Sequence, residues 1–154
     1  MAINGSYLQY GGDLMLFALP TTSGATLQAL AFSTSAKLSI SMATREISSK
    51  DSGDFIEKMP AKFSWNISTD ALMNYVSTGT TQSTDEFTGY MLSKKLLNVA
   101  FASKTGTSPS WTVDASKKKF TGTAWITSID LNAGDGATAT YSIQLEGTGP
   151  LVLA

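Results

Sequence analysis

The sequence contains no cysteine and no histidine. Without cysteine, the chain has neither a disulfide framework nor a thiolate metal site. Without histidine, it lacks Ser-His-Asp and Cys-His catalysis, imidazole metal ligands and the side chain that most often titrates near neutral pH. These absences argue against an enzyme, and the sequence predicts no catalytic, metal-binding or cofactor-binding residue.

Charged residues are also scarce. They make up 15% of the chain, against about a quarter in an average protein. The 11 basic residues nearly balance the 12 acidic ones, for a net charge of −1, so no broad basic surface is available for nucleic-acid backbones. Serine and threonine, at about a quarter of the residues, replace the missing charges. A neutral, hydroxyl-rich chain of this kind favours a structural protein.

The beginning of the sequence has no recognisable targeting signal. No basic region precedes the apolar run Leu14–Pro20. That run is too short for a signal peptide, and a membrane span needs about 20 apolar residues. We therefore expect synthesis in a cytoplasm and no membrane partner.

Alternation of apolar and polar residues predicts a protein built mainly of β-strands. A period of two places one side of each strand in a core and leaves the other exposed. The four clearest alternating segments are Ala36–Thr44, Lys62–Asp70, Leu96–Ser103 and Thr138–Glu146. Within Lys62–Asp70, Trp65 is predicted to be a core residue.

Two further strands are apolar on both faces and therefore need cover from a helix or from another subunit. One is Leu14–Leu19. The other is Phe120–Leu131, where the alternation places Trp125, Ile129 and Leu131 on the second face.

One helix is predicted, over residues 84–95. Ser83 and Glu86 are spaced as a capping box, and apolar residues then recur at helical spacing from Phe87 onward. Residues 1–154 are therefore expected to form one mainly β domain, an antiparallel sandwich or flattened barrel with a single flanking helix.

An acidic cluster between the predicted strands Ala36–Thr44 and Lys62–Asp70 could suggest a cation site. Asp51, Asp54 and Glu57 are spaced through a short loop, but Lys50 and Lys58 lie among them. Because hard cations require several converging oxygen ligands, a hairpin tip is the better interpretation.

Several segments, in order, resemble the major tail tube proteins of long-tailed bacteriophages of the siphovirus type. Glu46–Pro60 and Lys62–Ala71 are similar to the central segment of that family. Phe120–Ala133 and Leu145–Leu151 are similar to its closing segments, and the opening Met1–Gly5 is similar too. The resemblance covers most of the chain.

The resemblance implies a sandwich that assembles into hexameric rings, which stack into a hollow tube and conduct the genome to the host. Tape measure, initiator and terminator proteins of the tail would be its partners, phage DNA would pass without sequence-specific binding, and the protein would reside in the virion tail. A loop at about 48–60 would bridge stacked rings, with residues 1–10 and 150–154 as further contacts. The implied inter-ring residues are Ser49, Lys50, Asp51, Ser52, Gly53, Asp54 and Phe55.

Two alternatives remain open at this point. The inner tube of a contractile injection or secretion machine uses the same stacked hexameric rings. Alternatively, the hydroxylated strand faces could form a threonine-rich sheet that binds a ligand such as ice or a glycan, which predicts a monomer with regularly spaced threonines.

Overall fold

The computed structural model describes residues 8–76 and 81–154. The described residues form nine strands, a single α-helix and a short 3-10 helix, so the predicted mainly β class is confirmed. The helix α1 is Thr84–Leu92 and the 3-10 helix is Gly11–Asp13. The strands are β1 (Leu14–Pro20), β2 (Gln28–Leu30), β3 (Ser33–Glu46), β4 (Lys58–Leu72), β5 (Thr81–Gln82), β6 (Leu97–Thr107), β7 (Ser110–Val113), β8 (Phe120–Asn132) and β9 (Thr140–Leu153).

All nine strands belong to one sheet in the order β3-β4-β9-β8-β6-β1-β2-β5, with β7 paired to β6. The neighbours are antiparallel except β2 and β5, which are parallel. The sheet folds over itself, since side chains from β1, β4, β8 and β9 meet in one core cluster. Among the most buried are Leu16, Ile67, Ala124 and Tyr141.

Strand β1 is buried on both faces, as its sequence predicts. Leu16 faces the main core, whereas Phe17 packs into a second cluster with Ala100. Trp111 and Val113 of β7 pack against this second cluster. The cover therefore comes from the β6–β7 hairpin of the same chain.

The prediction for β8 was wrong at Ile129 and Leu131. Trp125 is 42% exposed on the outer face, but Ile129 packs against the main core, and Leu131, although 57% exposed, is paired with the buried Tyr141 on the same side as Ile129. The β8–β9 register shifts between Ile126 and Ser128. A bulge of this kind offsets the alternation by one residue, which returns Ile129 to the core face.

The helix begins as predicted but ends three residues early. Ser83 caps it, its side chain accepting a hydrogen bond from the Glu86 N–H while the Glu86 carboxylate accepts one from the Ser83 N–H at 2.8 Å. The chain leaves the helix after Leu92, and Lys94 has a φ of 52°. Among the described residues, no helix has the length and apolarity required to cross a membrane.

We expect Ser83→Ala to lower the free energy of unfolding by about 1 kcal/mol, because it removes the helix cap. Ser83 is only 2% exposed, so the Glu86 N–H that it satisfies has little access to water. Urea unfolding would measure the loss. Ser93→Ala, at the exposed end of the helix, is the matched control, and equal stability of Ser83→Ala and the native chain would contradict the capping role.

The last strand continues past Glu146, where its alternating segment ends, and through Pro150 to Leu153. Val152 and Leu153 pair with Thr121 and Phe120 at the start of β8. Proline is tolerated there because the register shifts between Thr121 and Thr123, and a bulge does not require every residue to donate a hydrogen bond.

Candidate functional site

The β3–β4 hairpin extends beyond the rest of the sheet. Strand β9 pairs with β4 only at Asn66–Leu72, so residues 40–64, which we call the arm, form strand pairs only between β3 and β4 within the described part of the chain. Its strands reach about 23 Å past the sheet, at 3.3 Å per residue. A two-stranded hairpin alone is at best marginally stable in water, so the arm has little stabilisation beyond its own cross-strand pairs and its attachment to the sheet.

One face of the arm is apolar and uncovered. The core alternation continues outward from Trp65 through the cross-strand pairs Ile40–Trp65 and Met42–Phe63. Trp65 is buried, but Ile40, Met42 and Phe63 are 52%, 46% and 71% exposed. The sequence pattern predicts these side chains to be buried, and within one copy nothing in the described structure covers them.

Hydrogen bonds of serine hydroxyl groups stabilise the tip of the arm, residues 47–57. The Ser49 N–H donates to the Ser52 hydroxyl at 2.9 Å, and that hydroxyl donates to the Glu57 carboxylate at 3.1 Å. The Glu57 N–H donates to the Ser48 hydroxyl at 2.9 Å. Gly53 has a φ of 66°, a conformation that costs glycine little and other residues more. Hydrogen bonds within the loop itself therefore define the shape of the tip.

The seven inter-ring residues that the resemblance implies all lie in this tip. The side chains of Ser49 and Ser52 are used within the loop, whereas Phe55 is 83% exposed. Sequence analysis missed Ile56, which is 65% exposed, although the Phe-Ile pair within a polar loop was a visible signal. Strand β4 begins at Lys58, so Lys58–Pro60 is strand rather than loop.

No metal centre is found in the part of the chain that the structure describes. Asp51, Asp54 and Glu57 do not converge, and no group of three or more possible ligands forms elsewhere within residues 8–76 and 81–154. The predicted contact segment 150–154 pairs with β8 of its own chain, and of the predicted segment 1–10, residues 1–7 lie outside the described residues.

The outer side of the four strands β3, β4, β9 and β8 forms a second surface, which we call the polar face. Its members are mostly short and neutral, and Asp70, Asp130 and Glu146 outnumber the ammonium groups of Lys37 and Lys62 at these positions. The members are Lys37, Ser39, Ser41, Lys62, Ser64, Asn66, Ser68, Asp70, Ser142, Gln144, Glu146, Trp125, Ser128 and Asp130.

Asp70 joins three strands on the polar face. The Ser142 hydroxyl of β9 donates to its carboxylate at 2.6 Å, and the Ser35 hydroxyl of β3 donates at 2.8 Å. These hydrogen bonds, that from Ser142 first, lower the pKa of Asp70 below its ordinary value because they stabilise the charged form. Asp70 therefore remains ionised at neutral pH.

We expect Asp70→Asn to destabilise the protein at neutral pH and to matter less in acid. Since the pKa of Asp70 is lower folded than unfolded, its stabilisation is present above the unfolded value near 3.8 and is lost as pH falls through the folded pKa. Urea unfolding from pH 7 to pH 2 would show the native–variant difference shrink below about pH 4. Asp135→Asn, in an exposed turn, is the control; a difference independent of pH would contradict the charged role.

The same four strands end in two open edges. Within the described residues, β3 pairs only with β4, so its other edge is free. Strand β6 pairs with β8 only as far as Ala124, which frees one edge of β8 from Trp125 to Asn132. Unpaired edges are templates for pairing with another chain, so this sheet can be extended on both sides.

The family model for the phage tail tube protein matches residues 9–153. The chain belongs to this family. Its role is therefore structural, as a component of a virion tail tube, rather than enzymatic, and the resemblance predicted from the sequence is confirmed. No curated protein matches the chain significantly.

Solved structures agree with the fold. The tail of an empty gene transfer agent particle, determined with C6 symmetry, has a TM-score of 0.68 at 19% identity, covering 96% of this chain and 99% of that one. The SPP1 tail tube has a TM-score of 0.67 at 11% identity, covering 94% and 77%. The sixfold-symmetrised anti-feeding prophage baseplate has a TM-score of 0.61 at 12% identity, covering 92% and 91%.

Proposed function

We propose that six copies of the chain form a ring, and that rings stack into the hollow tail tube that conducts phage DNA to the host at ejection. The observation that carries this proposal is the four-stranded sheet β3-β4-β9-β8 with an open edge on each side. Related tails have sixfold symmetry, which supports the number of subunits.

Edge pairing closes the ring. The free edge of β3 in one copy pairs with the free edge of β8 in the next, a contact between two different surfaces that forms a closed ring when its rotation repeats six times. Six such sheets make a barrel of about 24 strands. With strands about 4.8 Å apart and tilted about 40°, its backbone diameter is about 48 Å, and side chains reduce the lumen to about 35–40 Å.

The polar face lines this lumen in the proposed ring. Its short hydroxyl and amide groups offer no cationic row for phosphates, and its carboxylates repel them. DNA therefore passes without being held, and without sequence recognition. The opposite, apolar face of the sheet is the core of each subunit.

The arm bridges stacked rings. It leaves the sheet at one end, is folded at its tip and carries an uncovered apolar face, so a neighbouring copy supplies the missing contacts. Ser49–Phe55 are the assigned inter-ring residues, with 1–10 and 150–154 as further contacts. Stacking is open-ended, so tape measure, initiator and terminator proteins set the length of the tube, which is assembled from chains made in the host cytoplasm.

Replacing Ser52-Gly53 with a rigid, bulky pair is expected to spare the fold and weaken stacking. The change removes the Ser52 hydroxyl bonds and the positive φ at Gly53, while the tip makes no contact with the core. Sedimentation velocity would show single rings where the native chain forms tubes, with circular dichroism unchanged. Substitution of Gly134, in a turn away from the arm, is the control, and native tubes from the tip variant would contradict this assignment.

An inner tube of a contractile machine is the second candidate, because the fold also matches the anti-feeding prophage baseplate structure. Both machines use the same tube geometry. A sheath-protein gene beside the coding sequence would favour the contractile machine, and its absence would favour the long non-contractile tail.

A further inference from the structure

A cleft of about 420 Å³ lies at the end of the sheet where β3 begins. Its walls come from β1, the β2–β3 connection and the β6–β7 hairpin, and they include the apolar side chains of Met15, Leu30, Phe32 and Trp111. An engineered cavity of about 150 Å³ holds a benzene molecule. The cleft can therefore take an aromatic ring together with a second apolar side chain.

A single cation lies among the described residues that line the cleft. Lys104 lines it, and the Lys104 ammonium nitrogen lies 4.2 Å from the centroid of the Trp111 ring. This cation–π contact holds the charge beside the apolar wall. The cleft therefore favours an occupant that is apolar with an adjacent carboxylate.

The tip of the arm has this chemistry. Phe55 and Ile56 are adjacent and 83% and 65% exposed, and Asp54 precedes them directly. Residues 47–57 contain one lysine against three carboxylates, so the tip is acidic where the cleft is basic.

Tip and cleft lie at opposite ends of the same strand. Phe32–Ala36, at the start of β3, line the cleft, whereas the tip follows Glu46, at its end. The 14 residues of β3 span about 46 Å at 3.3 Å per residue. In a head-to-tail stack, where opposite ends of successive copies meet, the tip of one copy therefore faces the cleft of the next.

We propose that Phe55 and Ile56 of one copy dock in the cleft of a copy in the adjacent ring, with the Asp54 carboxylate against the Lys104 ammonium group. This inference rests on the proposed stacking of rings. The cleft is then the surface that receives the tip of the arm, and the residues that line it are far apart in the sequence.

Cross-linking of introduced thiols tests the contact directly, since the native chain has no cysteine. Asp54→Cys chains mixed with Lys104→Cys chains are expected to form a cross-linked dimer when assembled tubes are treated with a bifunctional maleimide that spans about 10 Å, because the Cα atoms of a Lys–Asp ion pair lie farther apart than the roughly 7 Å limit for a disulfide. Asp54→Cys mixed with Lys118→Cys, an exposed lysine that does not line the cleft, is the control and is expected to remain uncross-linked. Equal cross-linking of both mixtures, or none in tubes of the first, would overturn the docking.

A charge exchange provides an independent measurement. Lys104→Glu is expected to raise the critical concentration for tube formation about tenfold, and adding Asp54→Lys to the same chain is expected to restore it to within about twofold. Lys104→Met separates the loss of the cation from the introduced repulsion and should have an intermediate effect. No recovery in the double variant would overturn the pairing.

The two proposals fail in different ways. If the native chain forms tubes but the variants at Asp54 and Lys104 neither cross-link nor compensate for each other, the docking proposal is wrong and the proposed function is retained. If the native chain forms neither rings nor tubes, the proposed function is wrong, and the docking falls with it.

Discussion

Trp65→Ala is expected to lower the free energy of unfolding by about 3–5 kcal/mol, the range for truncating a large buried aromatic residue. Trp65 is 4% exposed, and its indole N–H donates to the Gly149 carbonyl at 3.2 Å. Its ring lies against Gly122 and Gly147, where an added Cβ would overlap the indole. The truncation therefore leaves a cavity between β4, β8 and β9 and removes the hydrogen bond to Gly149.

Urea unfolding of Trp65→Ala beside Trp125→Ala would measure this effect. Trp125 is 42% exposed on the polar face, so its truncation is expected to cost less than about 1 kcal/mol. Gly147→Ala should also destabilise the fold, by about 1–3 kcal/mol, since it overpacks the same contact. An unchanged unfolding midpoint for Trp65→Ala would show that the indole is not part of the core.

Phe63→Asp is expected to weaken assembly strongly while leaving the fold of one copy intact. Phe63 is 71% exposed within a single copy, so the free energy of unfolding of the variant should lie within about 0.5 kcal/mol of that of the native chain. Burying a phenylalanine side chain in an interface stabilises the interface by about 1.5–3 kcal/mol. Losing that contact should raise the critical concentration for assembly at least tenfold, and a buried carboxylate adds a further cost.

Sedimentation velocity over a concentration series would measure the shift, and circular dichroism would verify the fold. Leu92→Asp is the matched control, because Leu92 is 79% exposed at the end of α1, away from the arm. Assembly of Phe63→Asp at the native concentration would show that the apolar face of the arm is not an interface.

The features that the sequence predicts are those encoded locally. Period-two alternation is strong enough to reveal the longer strands, and the capping box places the start of α1 at Thr84. The tip around Gly53 is recognisable because turn residues cluster between two alternating segments. The seven tip residues follow from the resemblance alone, and their contacts in a ring stack remain a prediction.

The features that sequence analysis missed depend on pairing between distant strands. The bulge that turns Ile129 inward is a property of the β8–β9 register, and the continuation past Pro150 depends on its partner strand. Phe63 is indistinguishable from a core residue in the sequence. Only the position where β9 stops pairing with β4 separates the buried Trp65 from the exposed Phe63, and register of this kind is set by the whole sheet.

Negative-stain electron microscopy of the purified native chain, combined with sedimentation velocity, shows whether the chain assembles into a hollow tube. We expect rings and tubes with sixfold end views and a stain-filled channel about 35–40 Å wide, the width of the proposed barrel. Oligomers without an axial channel, or a chain that stays monomeric at hundreds of micromolar, would contradict the proposed tube.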